Sequence, residues 1–382
     1  MWPAPAGGNG GGTATGVTAT EIKVGQIYVA TGPVSPSTGQ VRGAQAYVNY
    51  VNSIGGVYGR KLSLDARDDS LDPTKDASAC AALVPTTFAL VASQSTAVGA
   101  CAPLVKSSGI PWVGGVNVSG ALLYDLPNVY GAGLSQPGFL AESYFTGLKK
   151  AFPDVSKVGI FVPSYIPPAY ISEYTSAYTK AGFKVVYSQT FDVTSPNLTP
   201  YIIKMRSKGV EAVESVGTTL ANAAALAKAM AQQSFTPTFV DTLLSYAQQF
   251  GQLAGSAGKG FLAELPTPGY LDNADLLATS KGPLFLAEMQ KAYPGVGIDN
   301  YTLDGWSNME LFVQALVKAG PNLTRPALIS ALGTISSFDS GGLLGASNPA
   351  AKTGSSCYAM MQFDGSKWAR VLPTKLGTYQ CS

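Results

Sequence analysis

The stretch that decides the fold is residues 21–73, EIKVGQIYVATGPVSPSTGQVRGAQAYVNYVNSIGGVYGRKLSLDARDDSLDP. Residues 21–29 alternate apolar and polar, as a β-strand does, and run into the turn Thr31-Gly32-Pro33. From about Gly39 to Ile54 the apolar residues recur at helical spacing, and the pair Gly55-Gly56 stops the helix. Residues 61–66 read as a second strand. Asp72 then caps a helix that opens on Pro73, whose missing N–H costs nothing in a first turn. The order is strand, helix, strand, helix.

The same alternation continues outward. Short apolar runs at 88–92, 110–113, 157–162, 183–187 and 210–216 suit strands buried on both faces of a parallel sheet. Helical segments near 97–107, 138–151, 169–181, 199–208 and 219–233 separate them, which argues for an α/β protein. The end of the chain changes character. Helical periodicity at about 274–292 and 301–319 is followed by two apolar-aromatic runs, 357–363 and 366–371, around Asp364-Gly365, a hairpin signal. No long linker divides the chain, and no repeat of solenoid type occurs.

Composition removes whole classes of chemistry. The chain has 382 residues, 25 Lys+Arg against 23 Asp+Glu, and no histidine. Triads built on imidazole, His-ligated metals and His proton shuttles are therefore excluded. A net charge of +2 without a basic cluster argues against nucleic acid as a partner, because phosphate binding needs a concentrated positive face. Charged residues are only 13%, yet 46% hydrophobic residues supply enough core for two domains.

The four cysteines, Cys80, Cys101, Cys357 and Cys381, form two sequence-local pairs without CxxC spacing. Disulfides Cys80–Cys101 and Cys357–Cys381 imply an oxidising, extracytoplasmic compartment; the alternative is buried free thiols. Residues 1–20, rich in Gly, Ala and Thr, read as a flexible tether, with Met1 standing where an export signal has been removed. No run of 18 apolar residues occurs, so no transmembrane helix is expected.

Several motifs fail on inspection. Residues 255–260, GSAGKG, lack the spacing of a phosphate loop, and no GxGxxG follows a strand, so no cofactor is expected. The acidic cluster Asp65, Asp68, Asp69 and Asp72 lacks the glycine and terminal Glu of a calcium loop. It reads as strand-end and helix-cap residues, and no metal is expected.

A resemblance emerges from several weak pieces in fixed order. They are Ile22-Lys23-Val24-Gly25, Thr31-Gly32-Pro33, Gly43-Ala44, then Asn52-Ser53-Ile54-Gly55-Gly56-Val57-Tyr58-Gly59-Arg60, and Asp68-Asp69 with Asp72-Pro73. Residues 88–96, Gly109-Ile110-Pro111, residues 157–162, Lys180-Ala181-Gly182-Phe183 and Gln362-Phe363-Asp364-Gly365 follow. Together they resemble the type I periplasmic solute-binding proteins of ABC importers, in the branched-chain amino-acid-binding family. The resemblance spans about residues 20–375. It implies two lobes, each a parallel sheet flanked by helices, joined by three hinge crossovers: one lobe of 20–134 plus 264–336, the other of 135–263 plus 337–382. It also implies a small-molecule ligand held in the inter-lobe cleft by hinge closure, ABC permease subunits as partners, and a monomeric, extracytoplasmic protein that is lipid-anchored in its native form.

Carried over position by position, the resemblance assigns the ligand carboxylate to the loop Ser93-Gln94-Ser95-Thr96, where Gln94, Ser95 and Thr96 are the contacts. A helix cap is the other role open to this loop. Asn117 adds a second wall, and Ser135 and Gln136 follow the first crossover. The other lobe contributes Tyr165, Thr218 and Leu243, with Tyr301 as a late contact. For each aromatic, core or rim packing is the competing role. Amino-acid binders of the family set carboxylates against the ligand ammonium. Here Ser135 and Leu243 occupy those positions, with Asp241 two residues from the second. The expected ligand is thus a carboxylate with an apolar or aromatic body. Two other readings stand beside this one. The same fold serves sensory ectodomains, and a secreted hydrolase would use carboxylates such as Glu211, Glu214 or Glu264.

Overall fold

The computed structural model describes residues 2–31, 37–93, 95, 97–114, 123, 125–133, 142–164, 166, 169–193, 197–215, 217–242 and 245–381. The chain divides into two compact units, Met1–Phe139 with Leu276–Ser355, and Leu140–Asp275 with Ser356–Ser382, so it passes between them three times.

The first unit holds a five-stranded parallel sheet in the order β2-β1-β3-β4-β5. Its strands are β1 (Glu21–Tyr28), β2 (Lys61–Asp68), β3 (Ala89–Val91), β4 (Trp112–Val113) and β5 (Val129–Tyr130). Helix α1 (Thr38–Ser53) links β1 to β2. Helix α2 (Pro73–Leu83) starts where expected, because the Asp72 carboxylate accepts the N–H groups of Thr74 and Lys75. A short 3-10 turn, Val98–Cys101, leads into α3 (Ala102–Ser108). The core between α2, this turn and the sheet is built on Trp112, Leu83, Val105, Ile110 and Val129. The Cys80–Cys101 disulfide lies within it.

The second unit repeats that strand order and then extends it. Its sheet runs β12-β11-β10-β9-β8-β6-β7. The strands are β6 (Lys157–Pro163), β7 (Lys184–Phe191), β8 (Ala212–Glu214), β9 (Val240–Asp241), β10 (Phe261–Leu265), β11 (Ala359–Phe363) and β12 (Trp368–Leu372). Counted from β6, the parallel part reads second, first, third, fourth, fifth, as in the first unit. The expected terminal hairpin then adds β11 antiparallel to β10, and β12 antiparallel to β11. Successive residues feed opposite faces: Phe161, Val213, Val240 and Phe261 enter one core, and Ala212, Phe239 and Leu262 the other. Over the unit run α4 (Glu142–Ala151), α5 (Ala169–Lys180), α6 (Thr199–Ser207), α7 (Leu220–Gln232) and α8 (Gln248–Ala254). The Cys357–Cys381 disulfide closes the C-terminal segment onto this unit.

Three expectations are corrected. The helix expected over 274–292 is two helices, α9 (Ala274–Leu277) and α10 (Gly282–Ala292), because Pro283 brings no N–H to an interior turn and can only open a new helix. The chain crosses between units at 139/140, 275/276 and 355/356, not at 134/135, 263/264 and 336/337. Asp275 is held in the second unit by Arg370 and by the N–H groups of Gly269 and Gly377. Ser347 is held in the first, donating to the carbonyl of Ala132.

The third correction concerns the N-terminal tract. Buried Arg60 donates to the carbonyls of Asn9, Gly11, Thr18 and Pro321. The Asn9 amide bonds the carbonyls of Ala19 and Tyr58, and the Tyr58 N–H bonds that of Trp2. A Cβ at Gly16, whose φ is 74°, would lie 2.2 Å from the Phe88 nitrogen. The glycines permit close packing here, and residues 2–19 are docked, not a flexible tether.

In the first unit α11 (Asn300–Ala319) crosses α1 at glycines: a Cβ at Gly43 would stand 2.0 Å from the Thr302 carbonyl oxygen, and one at Gly305 2.0 Å from that of Gln40. Helix α12 (Arg325–Leu332) completes the unit. Among the described residues no helix is long and apolar enough to cross a membrane.

Candidate functional site

In a doubly wound sheet the strand order reverses beside the first strand, and loops at the carboxyl ends there diverge to opposite faces. Ligands bind in the resulting crevice. The first unit reverses between β1 and β3, the second between β6 and β8.

At the first reversal Ser93 joins the two strands. Its hydroxyl accepts the Ile27 N–H at 2.9 Å, while the Gln26 amide donates to the Ala92 carbonyl at 2.8 Å. Ala92 sits at φ 54°, a conformation that non-glycine residues seldom hold, so the chain turns sharply into Ser93 at a local cost in energy. Gly114, past β4, packs tightly here, since a Cβ would lie 2.9 Å from the Ser93 nitrogen. Ser95 is buried, and its oxygen accepts the Ala97 N–H at 3.1 Å. This bond braces the turn that leads to the 98–101 helix, whose cap position is Ala97 and carries no side-chain cap bond. Two further buried acids lie here, Asp69 beside Ser95 and Asp76 beside Asp69.

Asp68 closes β2 by accepting the Ala30 and Ser70 N–H groups and the Thr31 hydroxyl, bonds that hold its carboxyl well below the usual range against the opposing pull of desolvation. With Asp72 capping α2 and Asp65 paired to Lys23 and Arg67, these three acids, Asp65, Asp68 and Asp72, have the strand-end and cap roles expected. Tyr301 is half-buried in the first turn of α11, behind the Asp299–Thr302 capping box. The glycine crossing of α11 on α1 sets that turn beside the start of α1, hence at the carboxyl end of β1. Tyr301 and Ser95 therefore share one end of the sheet.

At the second reversal the hydroxyls of Ser215 and Thr218 meet at 2.5 Å, and Thr218 also donates to the Ser215 carbonyl at 2.9 Å. One strand further on, Thr242 donates to Ser245 at 2.5 Å, and Ser245 to the Thr242 carbonyl. Both pairs are buried and brace the turns after β8 and β9. Thr218 is thus a brace within its own turn. The spacing of three after an apolar strand is a signal in the sequence that hydroxyl counting alone passes over.

Asp241 is buried, and one of its two carboxylate oxygens has no hydrogen-bond partner among the described residues. Its carboxylate takes the Tyr144 hydroxyl inside the second unit, and burial raises its carboxyl well above the usual carboxylate range. Glu214 is likewise interior, bonded to the Tyr178 hydroxyl at 2.6 Å, with burial pushing it to about 8. Glu211 lies at the opposite, amino end of β8, half-buried and accepting the Ser156 and Lys157 N–H groups. Glu211 is thus set apart from Glu214, whose carboxyl lies in the interior of the unit.

Of the remaining positions, Gln94, Thr96, Asn117, Ser135, Gln136, Tyr165 and Leu243 lie outside the described residues. All four cysteines are joined as expected, and each bridge stays within one unit. Among the described residues no group of three or more metal-ligating side chains is arranged to hold a metal ion.

The family described as periplasmic binding protein matches residues 21–367. The fold is that of solved type I binding proteins. A fatty acid ABC transporter substrate-binding protein from Thermomonospora curvata superposes with a TM-score of 0.77 at 19% identity, covering 98% of this chain and 100% of that one. A branched-chain amino acid transporter substrate-binding protein from Streptococcus pneumoniae, in complex with isoleucine, gives 0.75 at 16%, covering 92% and 99%. An ABC transporter solute-binding protein from R. palustris, in complex with benzoate, gives 0.73 at 20%, covering 95% and 98%. No curated protein matches the chain.

Proposed function

The chain belongs to the periplasmic binding protein family, of the ABC transporter type, and we propose that it captures a small organic carboxylate with an apolar or aromatic body. In this reading the protein works outside the cytoplasm, hands its ligand to membrane permease subunits, acts as a monomer held near the membrane by a lipid, and makes or breaks no bond in the ligand. Chemistry is not needed, which suits a chain without histidine.

One observation carries the choice of ligand. A buried ammonium group must be paired with a carboxylate, and Asp241, the acid nearest the expected position, is turned onto Tyr144 inside its own unit. The Ser95 hydroxyl remains as an anion donor, at the strand reversal where ligands of this fold class bind. Solved proteins of the same fold include a fatty acid binder and a benzoate complex.

A thermal-shift panel tests the reading. Ligand at a hundred times its Kd stabilises by about 2.7 kcal/mol. Shifts are expected with benzoate-like or fatty acids and not with free amino acids. Strong shifts with leucine, isoleucine and valine, and none with the acids, would sink it.

A further inference from the structure

Asp69 and Asp76 are both fully buried, Asp69 beside Ser95 and Asp76 beside Asp69 and Cys101. Asp69 follows the end of β2. Asp76 lies in the first turn of α2, four residues before Cys80, so it shares the helix face that the Cys80–Cys101 bridge draws against the 98–101 turn. Asp69 accepts the Leu71 N–H with one oxygen. Its other oxygen, and both oxygens of Asp76, have no hydrogen-bond partner among the described residues. The Ser95 hydroxyl and the Cys101 N–H point toward Asp69 and Asp76 respectively without reaching bonding geometry.

No cation answers them. Among the described residues neither acid has an ion pair. On β1 and β2, Lys23 and Arg67 are committed to Asp65, and Asp68 to its own loop. On α2, Lys75 reaches out to Ser70. The 98–101 turn brings only disulfide-bonded Cys101. Two ionised carboxylates buried close enough to repel are unfavourable without a cation, and protonating one of them removes a charge.

We propose that Asp69 and Asp76 are positioning residues for the ligand loop: a proton-holding pair that keeps neutral ground beside Ser95, so that carboxylate capture is coupled to retention of that proton. The proposal rests on the carboxylate reading above. An anion beside Ser95 would face two negative charges if the pair ionised, and Ser95 would turn its hydroxyl to Asp69 instead of the ligand. Burial, with Asp69 as a neighbour, pushes the Asp76 carboxyl up to about 7, and burial moves Asp69 in the same direction.

The test titrates benzoate and octanoate into the full chain from pH 5.5 to 8.5, for wild type, Asp76→Asn and Asp69→Asn. In wild type, affinity should fall with pH above about 7, approaching tenfold per unit for one coupled proton. Asp76→Asn should flatten that slope. Equal slopes in wild type and both variants, or a flat wild-type profile with the probe bound, would overturn the proposal. Carbon-13 NMR titration of the ligand-free wild type keeps the two readings apart. If neither probe binds, the carboxylate reading has failed, and the pair is still judged by its own titration. An Asp76 midpoint near neutrality supports it, and one near 4 overturns it. The same titration decides the matter if the variants do not fold.

Discussion

The Tyr178 hydroxyl donates to Glu214 at 2.6 Å in the interior of the second unit. The bond is the visible part of a larger arrangement. Glu214 closes β8 and stands opposite Asp241 on β9, which in turn takes the Tyr144 hydroxyl. Glu264, two residues beyond the β10 partner of Asp241, projects from the same face of the sheet. Three carboxyls thus line one face beneath α4 and α5, with tyrosine hydroxyls and no cation paired to them among the described residues. Tyrosine can donate to a carboxyl without adding charge, so the cluster is tolerable when the acids hold their protons.

That arrangement predicts a unit that weakens as pH rises. Burial raises Glu214 to about 8 and Glu264 to about 7 from 4.5. A folded-state carboxyl raised above its unfolded value contributes stability that is fully present below the unfolded pKa. It is lost as pH rises through the folded one. The midpoint of urea unfolding should therefore fall between about pH 4.5 and 8, and Glu214→Gln should flatten part of that fall. Tyr178→Phe should cost about 1–3 kcal/mol through the acceptor left unmatched. A wild-type midpoint that rises over this pH range would contradict the assignment.

Arg60→Met should release the N-terminal segment. Four carbonyls converge on one guanidinium, and three of them belong to residues 9–18. Methionine keeps the volume but supplies no donor, which leaves buried carbonyls unmatched at about 1–3 kcal/mol or more in total. Hydrogen exchange and limited proteolysis should show new exposure confined to residues 2–19, with the rest of the first unit protected as before. Arg60→Lys should rescue little, because a compact ammonium with three donors cannot reproduce the spread of a planar guanidinium that reaches all four carbonyls.

The strand and helix order of residues 21–73 is legible in the sequence because periodicity, Gly55-Gly56 and Asp72-Pro73 are local signals, and each acts on its own neighbours. The hairpin at Asp364-Gly365 is legible for the same reason, but its antiparallel attachment to β10 is not, since pairing is decided by a strand a hundred residues away. The docking of residues 2–19 is hidden for a different reason. Glycine in a low-complexity tract looks like flexibility, whereas Gly10 and Gly16 serve close approach to Asn322 and Phe88. At the site, the hydroxyls after β3 stand out in sequence, while the buried acids beside Ser95 come from β2 and α2 and meet only in the folded unit. The commitment of Asp241 to Tyr144 is equally non-local, with 97 residues between them.

The two disulfides should contribute nearly equally. Their sequence separations are 21 and 24 residues, so the loop-closure entropy removed from the unfolded chain is about the same, roughly 3 kcal/mol each. Because each bridge lies inside one unit, Cys80→Ser/Cys101→Ser should destabilise the first unit and Cys357→Ser/Cys381→Ser the second. Calorimetry of the two double variants should show different transitions shifting. A shared loss in one transition would argue against independent units.

Gly43→Ala tests how the first unit positions Tyr301. The added Cβ would stand 2.0 Å from the Thr302 carbonyl oxygen, far inside contact, and Thr302 belongs to the capping box that opens α11. The backbone there cannot yield without moving the first turn of the helix, and Tyr301 lies in that turn. Overpacking of this kind costs typically about 1–3 kcal/mol. If Tyr301 contacts ligand, Gly43→Ala should weaken binding of a carboxylate probe along with stability, and Gly305→Ala, which meets the Gln40 carbonyl oxygen at 2.0 Å, should do the same. Gly297→Ala is the control, because a Cβ there meets nothing within 4 Å and its φ is not positive. That control should leave both melting temperature and affinity unchanged. Loss of stability in Gly43→Ala with affinity fully retained would remove Tyr301 from the binding surface and return it to rim packing.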